Sequence, residues 1–206
     1  MKIPKKQSDI KLKDFLTYQK FILELDDEQK NDELLLSTKM LNTFYGIDET
    51  EIPNMPYSIT SDLIILINNI IQLNSDVVLT FNIDGVEYGI MPNFDDITLA
   101  ELVDCNTPDV LQQICVLYRP ITSKSGHKYK IKKYDADISN YELFKEKLTY
   151  DIYSGFISFF LRIQKDLTNY TLKFLMEQDI TPEQRKVLEE SGVGSDGFMN
   201  SVMEIY

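Results

Sequence analysis

The chain is short of the residues that most enzyme chemistries need. It has one histidine, His127, in 206 residues. His127 sits in SKSGHKYK, a polar turn, with no second histidine and no cysteine pair at metal-ligand spacing beside it. Tetrahedral zinc is therefore not expected. A serine nucleophile would need His127 as its base, and no G-x-S-x-G elbow occurs. His127 reads as a solvated turn residue, and a hydrolase built on it is the least expected function.

Cysteine is almost as scarce. Cys105 and Cys115 are the two in the chain. Both fall on apolar helical segments, where a buried, inert thiol is the ordinary state. Residues 1–20 alternate charged and apolar positions without the apolar core of a secretory leader. A reducing compartment and free thiols are expected. Long apolar runs are also missing. The longest, 63–67 and 70–73, are broken by Asn68 and Asn69 and fall short of the ~18 residues that a membrane span needs.

Phosphate-binding patterns are absent too. There is no Walker sequence and no G-x-G-x-x-G, and Gly192, Gly194 and Gly197 follow no strand and lead into no long helix. The acidic clusters at 26–28, 48–51 and 95–96 lack the spacing of a calcium loop, and helix capping and solubility account for them. No cofactor is expected. Arginine is scarce, three against eighteen lysines, which removes the usual means of reading bases. The net charge of -12 opposes nonspecific binding to nucleic acid or to anionic membranes.

What is present is apolar and periodic. Hydrophobic residues make up 43% of the chain, enough to bury a core of its own. The pattern predicts a mainly α fold with a small antiparallel β insert (α+β). Phe15 to Leu25 predict a short helix, and Asp26 and Asp27 offer an N-cap and a first-turn acid for the next, which carries Leu34–Leu36, Met40, Leu41 and Phe44 and stops at Gly46. Ser61 is expected to cap a helix over 62–73, apolar nearly all round and therefore buried. Residues 77–90 alternate around Asp84-Gly85, a strong hairpin signal. Helices are expected at 98–105, at 109–118 with Pro108 in its first turn, at 140–147 and at 149–178. The last of these holds Tyr150, Tyr153, Phe156, Phe159, Phe160, Tyr170 and Phe174 on more than one face, so a partner could bury what the core does not. Thr181-Pro182-Glu183 opens a final helix. Residues 1–190 read as one helical domain with the hairpin at 77–90 and an extended segment at 121–135. Residues 191–206 read as a flexible C-terminal tail.

One local anomaly stands against the acidic background. Lys124, Lys128, Lys130, Lys132 and Lys133 fall together with no acid among them. In a strand, 128, 130 and 132 share one face, while Tyr129 and Ile131 share the other. Lysines of this kind guard an edge strand against self-pairing. Alternatively they form a contact for an acidic partner or for nucleic acid. The apolar tail FMNSVMEIY, from Phe198 to Tyr206, suits docking on a neighbour or packing back on its own domain.

Three stretches together resemble the small morphogenesis proteins of tailed bacteriophages. They are the helical first third ending at GIDETEIPNM; the hairpin and helix of FNIDGVEYGIMPNFDDITLAELVDC; and QQICVLYRPIT followed by KYKIKKY and GFISFFLRIQKDL. They cover residues 12 to about 178. The resemblance implies a non-enzymatic structural or assembly protein acting through protein contacts. One form is a head–tail connector, ring or cargo component of the virion, as in the crAss-like phages of gut bacteria. Another is a tail-assembly chaperone that holds the tape-measure protein in the host cytoplasm and is absent from the mature particle. Other phage structural proteins and copies of the chain itself are the expected partners, and membranes are not. A cytosolic nucleic-acid-associated adaptor using the lysines is a further alternative. The resemblance carries no catalytic motif and no individual binding residue.

Overall fold

The computed structural model describes residues 3–136 and 138–177. Among them are seven α-helices and one four-stranded antiparallel sheet, the mainly helical α+β fold that the sequence predicts. The described chain packs as two compact units. The first takes the chain up to Ser75 together with Glu142–Ser154; the second takes Asp76–Tyr141 and the chain from Gly155. The first boundary lies in a stretch without regular structure, 74–79, and the other two fall inside helices.

In the first unit, helices α1 (Leu12–Glu24), α2 (Glu33–Tyr45) and α3 (Tyr57–Ile71) supply most of the core. Leu12, Leu41 and Ile67 are fully buried. Asp32, not Asp26 or Asp27, caps α2, its carboxylate accepting from the Leu35 amide at 3.0 Å. Asp26 accepts instead from the Gln29 amide at 2.8 Å, just ahead of a separate 3-10 turn, Gln29–Asn31, whose N-cap position is Glu28. At the other end Gly46, with φ 66°, takes the left-handed position that stops a helix. Helix α3 begins four residues before Ser61, with Pro56 as its N-cap, because the fixed φ of proline suits helix entry. It is not buried all round: Leu63, Ile67 and Ile70 face the core, whereas Ile59, Ile65 and Leu66 are exposed.

Gln7, in a segment that reads as merely polar, is buried. Its amide nitrogen donates to the carbonyls of Ile70 and Leu73 at 3.0 and 2.7 Å. It thereby adds a side-chain donor at the C-terminal end of α3, where backbone donors run short. The next stretch of chain pairs with the returning chain: the Leu12 amide donates to Leu148 and the Tyr150 amide to Ile10, both at 2.9 Å.

The second unit is built on strands β1 (Thr80–Ile83), β2 (Val86–Ile90), β3 (Tyr118–Ser125) and β4 (Lys128–Ile131), paired in that order. Asp84 and Gly85, with φ 50° and 85°, form the expected turn between β1 and β2. Gly126, with φ 60°, serves the turn between β3 and β4. The two hairpins join through β2 and β3, which pair Tyr88 with Pro120 and Ile90 with Tyr118. A bulge at Thr122 shifts the β3–β4 register. The Thr122 hydroxyl donates to the Lys130 carbonyl there at 3.2 Å.

Helix α4 (Leu99–Cys105) and helix α5 (Val110–Leu117) connect the hairpins. Asp109 caps α5, accepting from the Leu111 and Gln112 amides at 2.9 and 3.2 Å, so Pro108 lies just before the cap rather than in the first turn. Helix α6 is Tyr141–Lys147, and α7 is Tyr150–Glu177, its first residues in the first unit. In the second unit Phe156 packs near Tyr118, which in turn contacts Phe81. Phe94 meets Phe159 and Phe160. The side chains of Tyr170 and Phe174, the helix expected from Thr181 and the tail at 191–206 lie outside those described.

Candidate protein-contact surfaces

Helix α4 is turned inside out. Its apolar residues Leu99, Leu102 and Val103 follow helical spacing and would ordinarily face a core. They stand 78%, 55% and 62% exposed. The inward residues are Glu101, 2% exposed, and Cys105.

The chemistry on the inner side explains the orientation. Thr98 caps the helix, accepting at its hydroxyl from the Glu101 amide at 3.3 Å. Glu101 reaches back, its carboxylate accepting from the Thr98 amide and hydroxyl, both at 2.7 Å. This capping box points Glu101 toward β3. Arg119, 8% exposed, meets the other carboxylate oxygen through Nη2 at 2.7 Å. The guanidinium also lies 5.6 Å from the centre of the Tyr134 ring. The Tyr134 hydroxyl donates to Asp104 at 2.5 Å, which ties the chain after β4 to the same helix. Arg119 Nε has no hydrogen-bond partner among the described residues.

Burial alone would push the Glu101 carboxyl up; the Thr98 hydrogen bonds and Arg119 outweigh it and hold the carboxyl below its usual range. Burial pushes the thiols of Cys105 and Cys115 up to about 12, with nearby carboxylates adding to the effect. Both are free and buried, and neither is placed as a nucleophile.

The lysine stretch is divided. β4 is an edge strand, with Lys128 and Lys130 exposed and Tyr129 and Ile131 on its half-buried face. Lys124 pairs with Glu87 at 2.5 Å and Lys132 with Asp135 at 2.6 Å. Lys133 is exposed beyond the strand. Lys128, Lys130 and Lys133 make no ion pair with another described residue. His127 is exposed in the turn before β4. Phe198 and Tyr206 lie outside the described residues. Among the described residues no three His, Cys, Asp or Glu side chains converge to hold a metal ion, and no helix is long and apolar enough to cross a membrane.

The inverted face was missed because spacing reveals an apolar stripe but not the direction in which it points. The available signal was Thr98-x-x-Glu101, a capping box that commits the glutamate to the helix entrance.

Compared with models of known protein families, with curated proteins and with solved structures, the chain matches none.

Proposed function

We propose that this chain works by binding other proteins and has no catalytic role, and that the exposed face of α4 is a centre of its contacts. One observation carries the reading: a helix that keeps a charged pair inside and two leucines and a valine outside. Full burial of each such apolar side chain is worth ~1.5–3 kcal/mol. A buried ion pair returns little of that, since desolvation offsets much of its attraction. The arrangement therefore serves the isolated fold poorly. It serves a complex well, because a partner covering Leu99, Leu102 and Val103 recovers the apolar term.

The sequence resemblance directs the proposal toward a phage structural protein, a connector, ring or cargo component of the virion. The test is mass spectrometry of purified particles, with a photo-crosslinking residue placed at Leu102. A fixed copy number and a crosslink to one structural protein are expected. Abundance in infected cells with absence from particles would move the chain to the chaperone role. A monomer that crosslinks to nothing in either setting would overturn the contact reading.

A further inference from the structure

The first unit contains a groove of about 700 Å³. Helices α2 and α3, the 3-10 turn Ile52–Asn54 between them, and Tyr18 of α1 line it. Its apolar lining includes Leu34, Met40, Ile52, Tyr57 and Ile65. Met40 and Ile52 are buried, whereas Leu34, Tyr57 and Ile65 are exposed, Tyr57 by 85%. Three large apolar side chains around one concavity are not the scattered exposure of an ordinary surface.

The charge of the surrounding chain is one-sided. Residues 24–62, which supply α2, the turn and the start of α3, hold ten acids and two bases, Lys30 and Lys39. Lys39 is held by Glu49 at 3.6 Å and lies over the Phe21 ring. Glu33 lines the groove itself.

We infer that this groove is the docking site for an amphipathic helix of a partner protein, one whose apolar stripe is flanked by lysine or arginine. The inference rests on the protein-contact reading and deepens it by naming the chemistry of a partner. A helix sets anchors at i, i+3, i+4 and i+7 into an apolar groove, and its flanking cations would meet the acidic surroundings. A second copy of the chain is a poor occupant. Its net charge of -12 opposes the approach of one copy to the acidic surroundings of the groove on another.

The test uses the intact chain and a synthetic leucine–lysine helix, with binding read by fluorescence anisotropy. The comparison peptides are the same composition with its stripe scrambled and a leucine–glutamate version. The striped basic helix is expected to bind at least about tenfold more tightly than either, which is about 1.4 kcal/mol. Ser37→Trp, which fills the groove, and Tyr57→Ala, a truncation of an exposed side chain, should each weaken binding, while Leu102→Asp on α4 should not. Glu33→Lys should weaken it and flatten its salt dependence. Equal binding of the scrambled peptide, no binding of the striped one, or indifference to both Ser37→Trp and Tyr57→Ala would overturn the inference. A chain that self-associates through Tyr57 would assign the groove to a second copy and overturn it as well. Loss of binding only in Leu102→Asp would move the contact to α4, ending the groove proposal while the protein-contact reading stands.

Discussion

Tyr129 on the edge strand β4 lies over Gly89 of β2, two strands away, and its hydroxyl donates to the carbonyl of Ile90 at 2.8 Å. A Cβ at position 89 would sit 2.6 Å from a Tyr129 ring carbon and 3.1 Å from two side-chain carbons of Ile121. The absence of a side chain at Gly89 lets one aromatic ring span the sheet and fasten its exposed edge.

Gly89→Ala should therefore destabilise the protein by about 1–3 kcal/mol, although alanine is otherwise the better strand residue. The ring can swing aside, but only by giving up its hydrogen bond. In a Tyr129→Ala background the same substitution should cost much less. Urea unfolding of the four proteins gives the coupling between the two sites, expected to exceed about 0.5 kcal/mol. Simple additivity would mean that the ring is not what Gly89 accommodates.

Gly155 poses the same question against backbone. In the interior of α7, alanine would ordinarily gain ~1 kcal/mol over glycine. Here its Cβ would lie 2.3 Å from the carbonyl oxygen of Asp76 and 3.3 Å from the Cα of Val77. Neither is the mobile end of a side chain. Gly155→Ala should reverse sign and destabilise by about 3 kcal/mol, near the top of the usual range for overpacking. A higher urea midpoint for this variant would contradict the close approach.

The readability of these features in the sequence follows their range. The β1–β2 turn was legible because Asp84 and Gly85 carry its backbone preference locally. Gly46 was legible for the same reason. The join of β2 to β3 was not, since Ile90 and Tyr118 are brought together across two helices and nothing in either strand names its neighbour. Asp26, Asp27 and Asp32 all suit a cap, and the intervening 3-10 turn decides among them. Lys128 and Lys130 alternate with Tyr129 and Ile131 as a strand pattern requires, yet the bulge at Thr122 left no trace. The groove depends on two helices and a turn meeting, so its residues looked like core. The lysines, by contrast, stood out in the sequence, and two of the five are held by Glu87 and Asp135.

The Glu101–Arg119 pair predicts a specific acid response. The Glu101 carboxyl is held below its ordinary value of 4.5, so the folded state binds its proton less readily than the unfolded chain. Its stabilising contribution is present above that ordinary value and is lost as pH falls through the lower folded one. Glu101→Ala should cost about 3–5 kcal/mol at neutral pH, because Arg119 is left buried and unpaired. Glu101→Gln should cost less, and its deficit against the parent should shrink as pH drops below 4.5. Replacing both partners with methionine should cost less than Glu101→Ala, because no charge is left buried and unpaired and only the Thr98 cap bonds are lost. Urea titrations at several pH values provide the check. Parallel stability profiles for parent and Glu101→Gln would remove the carboxylate from the acid response.

The outward face of α4 makes the complementary prediction, because there a substitution should alter association and spare the fold. Leu102 is exposed, so Leu102→Glu removes little buried area and should change stability by no more than ~0.5 kcal/mol. The same holds for Val103→Lys, which also tests whether the sign of the new charge matters. If the face is a contact, either change places a charge where a partner must be desolvated, and binding should fall by about tenfold or more. Thermal unfolding of the isolated protein and pull-down of crosslink-identified partners separate the two effects. Large destabilisation without loss of binding would mean that Leu102 belongs to the core of its own unit, and α4 would lose its claim as a contact surface.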